Sequence, residues 1–201
     1  MSKTYFISDL HFNHKNVLIY EPTRIQAMLD YYSNLNEDEI REAYENNDAD
    51  KIKLILSLHD KMLINKWNSV VKNDDVVWFL GDLGFGNKDY LKECVGQLKG
   101  IKKIVMGNHD NLPISWYYDA GFQEVCRHGA ILKERFLLTH SPLLGLRCKD
   151  GLFNIFGHVH GNPKFETTTL FSRCVCVERT DFLPIRIPEF DNYQPERDII
   201  C

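Results

Sequence analysis

The chain has 201 residues, 44% of them hydrophobic, enough for one domain to bury a core without disulfide or metal staples. A net charge of −4 argues against a protein that coats a polyanion, because counterion-release binding needs a basic face. No apolar leader opens the sequence and no run of about 18 apolar residues could span a bilayer, so a soluble, cytoplasmic protein with no membrane partner is expected.

Lys3 to Ile7 reads as a buried strand that delivers Ser8-Asp9-Leu10-His11 at its end. Asp9 and His11 are two residues apart, so in extended backbone they share a side and suit one metal ion. A short helix is expected after Phe12-Asn13-His14, with Asn13 or Asn16 as caps. Residues 21–58 change character: Pro22 comes first, and Asn34 through Asp50 is rich in Asn, Asp and Glu. Two helices, near 37–46 and 51–71, are expected there as a solvated helical insertion.

Val76-Val77-Trp78-Phe79-Leu80 is a strand of the fully buried kind, ending in Gly81-Asp82. A helix over 89–99 leads to a strand near 101–106, and that strand runs out into Gly107-Asn108-His109-Asp110. A short helix is expected at 115–121, then strands near 122–126, 129–133 and 135–139, the last reaching His140. Leu152 to Phe156 is a further strand, delivering Gly157-His158-Val159-His160, and strands near 173–179 and 182–187 close the core. The tail from 189 to 201 is expected to have little to fold around.

Six cysteines, at 94, 126, 148, 174, 176 and 201, form no C-x-x-C pair and are expected as reduced thiols. Cys174 and Cys176 alternate on one strand, which suits two small buried residues better than a soft-metal pair.

Five β-type runs therefore stop in Asp9, His11, Asp82, Asn108, His109, His140, His158 and His160. Seven of these as oxygen and nitrogen ligands are too many for one tetrahedral zinc and suit two ions, with Asp82 as the bridging carboxylate. The absence of cysteine favours Mn²⁺ first, with Fe or Zn²⁺ as alternatives. Two cations against two carboxylates would leave a net positive site that attracts a phosphate anion. A small phosphate ester, a nucleotide among the candidates, is then the expected substrate, with no extended nucleic-acid surface.

The order D-x-H, G-D, G-N-H-D, H, G-H-x-H resembles the calcineurin-like metallophosphoesterase superfamily, over residues 4 to 187. The opening Ser8-Asp9-Leu10-His11-Phe12-Asn13-His14 resembles, more narrowly, its small bacterial and bacteriophage phosphoesterases. The resemblance implies an α/β fold: a four-layer αββα sandwich of two mixed sheets flanked by helices. It places Asp9, His11, Asp82 and His160 on one ion and Asp82, Asn108, His140 and His158 on the other. It also implies attack on phosphorus by a metal-bridging hydroxide, with His109 protonating the leaving oxygen and Asp110 orienting His109. His14, Arg24 and Arg147 are candidate substrate contacts, and His14, three beyond His11, could instead support a ligand. Asp110 stands where the protein phosphatase branch has glutamate, and the loop after Asp82 lacks that branch's arginine. The pattern therefore leans to phosphodiesters; a nuclease, a phosphomonoesterase and a non-catalytic binding scaffold are the alternatives.

Overall fold

The apolar runs pair as parallel strands. In the computed structural model, which describes residues 2–145, 151–165 and 168–194, β1 (Thr4–Ile7), β2 (Val76–Phe79), β3 (Ile101–Val105) and β4 (Phe122–Cys126) lie side by side in that order. Successive residues of a strand face opposite ways, so Tyr5, Ile7, Val77 and Phe79 pack into a core on one face, and Phe6, Trp78 and Leu80 into a second core on the other. Burial on both faces is why these strands read as unbroken apolar runs.

The second sheet holds β5 (Ala130–Leu132), β6 (Phe136–Thr139), β7 (Phe153–Phe156), β8 (Thr168–Thr169) and β9 (Ser172–Cys174), in the order β5-β6-β7-β9-β8. It is mixed, with β6, β7 and β9 parallel and the two edge strands antiparallel. Phe136, Leu138, Phe153 and Ile155 meet the second face of the first sheet, forming the inter-sheet core. At the free edge of β1, Phe6 bridges Ile185 antiparallel, and just past its end Ser8 bridges Cys176 in parallel, two residues beyond β9. The layering is that of an αββα sandwich, as expected.

The helices are α1 (Val17–Tyr20), α2 (Pro22–Tyr31), α3 (Glu37–Glu45), α4 (Ala49–Val70), α5 (Lys88–Gln97), α6 (Ile114–Ala120) and α7 (Pro188–Asp191). Both helices expected in the insertion are present, and α3 is largely exposed as expected, but the insertion also lays an apolar stripe on the core. Met28, Ile40, Ile52, Leu63 and Trp67 are buried in the core over the first sheet. The buried positions of α4, among them Ile52, Leu56, His59, Leu63 and Trp67, recur every three or four residues and run its whole length. The acidic run, from Glu37 to Asp50, is densest at the start of α3. There Glu37, Asp38 and Glu39 sit at the positive end of the helix, and Asn36 caps it by accepting from the Asp38 N–H. The sequence reading missed α2, which starts on Pro22 at its first position, where a missing N–H costs nothing.

The strand expected over 173–179 stops at Cys174, and a 3-10 turn occupies Val177–Arg179. The tail also differs from expectation: α7 buries Phe190, whose ring lies 5.2 Å from Phe6 and 5.0 Å from Phe136. Residues 195–201 lie outside the described residues. Cys94, Cys126, Cys174 and Cys176 are free, and the last two are buried with their sulfurs 3.4 Å apart.

Candidate metal centre

Parallel strands bring their C-terminal ends to one rim, and there the chemistry converges. Asp9 and His11 follow β1, Asp82 follows β2, Asn108 and His109 follow β3, His140 follows β6, and His158 and His160 follow β7. Five of these residues carry left-handed backbone: Asp9 (φ 62°), His11 (51°), Asp82 (61°), His158 (72°) and His160 (47°). Side chains other than glycine enter this region at a cost of ~1–3 kcal/mol each, and only where the surroundings hold them there. That five of the eight strand-end residues share this conformation is what a functional rim would show. Two glycines make room for the carboxylates: a Cβ at Gly107 would overlap Asp82 Oδ1, and one at Gly157 would overlap Asp9 Oδ2 and Ser8 Oγ.

Two clusters result, Asp9 with His11 and His160, and Asp82 with His140 and His158. In the first, Asp9 Oδ1 lies 3.5 Å from His160 Nε2 and 3.8 Å from His11 Nε2. In the second, His140 Nε2 lies 2.9 Å from Asn108 Oδ1 and 3.1 Å from His158 Nδ1. Asp82 Oδ2 stands between them, 3.5 Å from His11 Nε2 and 3.4 Å from His140 Nε2. That placement is what a bridging carboxylate requires. Asp9, His11, Asp82 and His140 form a buried floor, and Asn108, His109 and His158 an exposed mouth.

The donor set fits two divalent cations. Asp9 Oδ1 and His11 Nε2 are buried with no hydrogen-bond partner, although they face the same space. Buried polar atoms are rarely left so, and a cation between them satisfies both. The imidazoles are also set from behind, which decides which nitrogen offers its lone pair. His140 Nδ1–H donates to the Leu80 carbonyl (2.7 Å) and His160 Nδ1–H to Glu178 Oε1 (3.0 Å), leaving both Nε2 atoms for the centre.

Charge accumulates accordingly. Burial pushes the Asp9 carboxyl up, but His11, His160 and His140 outweigh it and hold it well below the usual carboxylate range. Burial pushes His140 down, yet the Asp82 contact and the Asp9 and Asp82 charges raise it to about 9. Below that pH a proton occupies the nitrogen that a metal needs, so metal binding must release it. The affinity of the His140 cluster for Mn²⁺ should therefore rise by up to about tenfold per pH unit and level off above about 9. Isothermal titrations at several pH values would check this, and a flat profile would contradict it.

Two expected contacts are placed differently, and His14 takes the second of its two expected roles. Asp110 does not reach behind His109; its buried carboxylate accepts N–H bonds from Asp82 (2.7 Å), Leu83 (3.0 Å) and Gly107 (2.7 Å), tying two ligand loops together. Arg24 is fully buried and bonds Glu178 and the Asp9 and Leu10 carbonyls, so it faces the interior rather than a substrate. His14 Nδ1 lies 3.2 Å from His11 Nδ1, and its ring stacks 4.0 Å from Phe85, so it backs a ligand. Arg147 lies outside the described residues.

Sequence reasoning missed Glu178, which sits in a 3-10 turn with no motif to announce it. It also missed Phe85, whose ring lies 4.9 Å from His109 and 5.6 Å from His11. Its place between Gly84 and Gly86 was the available signal. His59 is fully buried beside Asp60 and Arg24.

An uncharacterised protein of Methanocaldococcus jannaschii is 30% identical over 166 residues, covering 81% of this chain and 72% of that protein. The chain belongs to that protein's family. The gene 66 protein of Mycobacterium phage L5 is 34% identical over 113 residues, 55% of this chain and 41% of its own length. Among solved structures, a protein of unknown function from Aquifex aeolicus superposes with a TM-score of 0.60 at 25% identity, covering 95% of this chain and 98% of its own. No family model matches the chain. The two-sheet sandwich with paired Asp/His clusters is consistent with the calcineurin-like metallophosphoesterase superfamily, and paired clusters of this kind are typical of metal-dependent hydrolases. Among the described residues no helix is long and apolar enough to cross a membrane.

Proposed function

We propose that the protein is a dinuclear metal-dependent phosphodiesterase of the small bacterial and bacteriophage type, acting on a nucleotide-like diester. The observation that carries this reading is the shared position of Asp82 Oδ2 between the two clusters, with His109 Nε2 4.0 Å from it at the exposed mouth. Bound there, two divalent cations would neutralise phosphate oxygens and lower the pKa of a water for attack on phosphorus. Mn²⁺ suits the nitrogen and oxygen donors.

The residues of the chain supply the rest. Asp9, His11, Asp82 and His160 would hold one ion, and Asp82, Asn108, His140 and His158 the other. His109 is anchored by its own N–H on Asp82 Oδ1 (3.0 Å), while its half-exposed ring reaches the opening. It is therefore positioned to give a proton to a departing alkoxide, which a diester needs more than an activated ester does. The matched stretch of a mycobacteriophage protein supports the narrower placement.

Turnover of bis(p-nitrophenyl) phosphate and p-nitrophenyl phosphate with Mn²⁺ tests the proposal. Metal-dependent turnover favouring the diester is expected. Faster monoester turnover would overturn the diester preference, and no metal-dependent turnover of either would overturn the enzyme.

A further inference from the structure

Behind the first cluster lies a buried ionic chain that draws on four separate elements. Glu178 Oε1 accepts from His160 Nδ1 at 3.0 Å and, from the opposite side, from Arg24 Nε (2.8 Å) and Nη2 (2.5 Å). Arg24 also donates through Nη2 to the Asp9 carbonyl (2.7 Å) and through Nη1 to the Leu10 carbonyl (3.0 Å). The guanidinium thus holds both arms of the cluster: His160 through Glu178, and the Asp9-Leu10 turn directly.

A second pair fixes the guanidinium. His59 Nε2 lies 3.2 Å from Arg24 Nη1, and arginine has no acceptor, so this nitrogen is unprotonated and Nδ1–H donates to Asp60 Oδ1 at 2.9 Å. Asp60 Oδ2 in turn accepts the Asn13 N–H at 2.8 Å, just past His11. Arg24, His59 and Asp60 are each no more than 1% exposed. Taking a guanidinium and two carboxylates out of water is costly, and a hydrophobic trio of similar volume would pack there without that cost. The directional reach of the fork, two carbonyls and a carboxylate at once, is what hydrocarbon could not supply.

We infer that Arg24, clamped between Glu178 and the His59–Asp60 pair, is a positioning residue that sets the metal affinity of the Asp9–His11–His160 cluster selectively. The inference rests on the reading of both clusters as metal sites. It gives the helices of 22–70 a task in the active centre, since α2 carries Arg24 and α4 carries His59 and Asp60. In the second cluster the His140 ring is oriented by the Leu80 carbonyl instead, and the one tie to the clamped turn is the His158 N–H on Asp9 Oδ2 (2.9 Å).

The test measures Mn²⁺ affinity by electron paramagnetic resonance in two backgrounds. His158→Ala leaves the first cluster intact, and His160→Ala leaves the second. Glu178→Gln, nearly isosteric, should weaken Mn²⁺ binding about 10–100-fold in the His158→Ala background and by less than about twofold in the His160→Ala background. Arg24→Lys keeps the charge without the fork and should show the same selectivity, which covers the case in which Glu178→Gln does not fold. Equal loss in both backgrounds, or no loss in the first, overturns the inference. Failure of the unaltered protein to bind Mn²⁺ would instead overturn the metal reading beneath it.

Discussion

Asp82→Ala is expected to remove both metal ions and, with them, all measurable phosphoesterase turnover. The expectation follows from one atom. Asp82 Oδ2 is 3.5 Å from His11 Nε2 and 3.4 Å from His140 Nε2, so it belongs to both clusters at once. Deleting an outer ligand such as His160 leaves the other cluster complete, whereas deleting Asp82 leaves each cluster a ligand short and removes one of two negative charges. Asp82 Oδ1 also accepts the His109 N–H at 3.0 Å, so the loop bearing the proton donor loosens too. Alanine is strained at the Asp82 φ of 61°, and Asp82→Asn separates that effect because asparagine tolerates left-handed backbone. Elemental analysis after dialysis against Mn²⁺ reads the result. Near-zero metal is expected for the alanine variant and at most one ion per chain for asparagine; two ions with normal turnover would contradict the bridging assignment.

What could be read from the sequence was the chemistry at strand ends, and what could not was the interior that holds it. D-x-H after β1 and G-H-x-H after β7 were legible because a ligand at a strand end breaks an apolar run, and the break is local in sequence. Glu178 was not legible, since its partner Arg24 is 154 residues away and only the fold brings the two together. Arg24 itself was noticed but aimed wrongly. A cation near a phosphate site suggests a phosphate contact, and nothing local shows that α2 turns its guanidinium inward. Asp110 failed similarly: adjacency to His109 suggested a carboxylate behind an imidazole, yet the turn sends its oxygens to the N–H groups of Asp82, Leu83 and Gly107. The D-x-H spacing was right for the wrong backbone. Asp9 and His11 share a centre through left-handed φ values, not through an extended strand.

His109→Ala should divide chemistry from metal binding. The imidazole belongs to neither three-residue cluster, and its Nε2 stands 4.0 Å from Asp82 Oδ2 on the solvent side. Metal content should therefore stay at two ions per chain while turnover falls by about 10²–10⁴-fold, the range for loss of a general acid. The size of the fall should depend on the leaving group. A nitrophenolate departs with little protonation, so bis(p-nitrophenyl) phosphate should show the lower end of that range. A diester with an alkyl leaving oxygen, whose conjugate acid is far weaker, should show the upper end. An imidazole that acts by holding substrate would lower both rates equally and raise KM instead. The backbone N–H that anchors residue 109 on Asp82 survives the substitution, so the bridging carboxylate keeps that contact. A leaving-group-independent loss, or loss of metal along with turnover, would remove His109 from the role of proton donor and return it to that of a ligand.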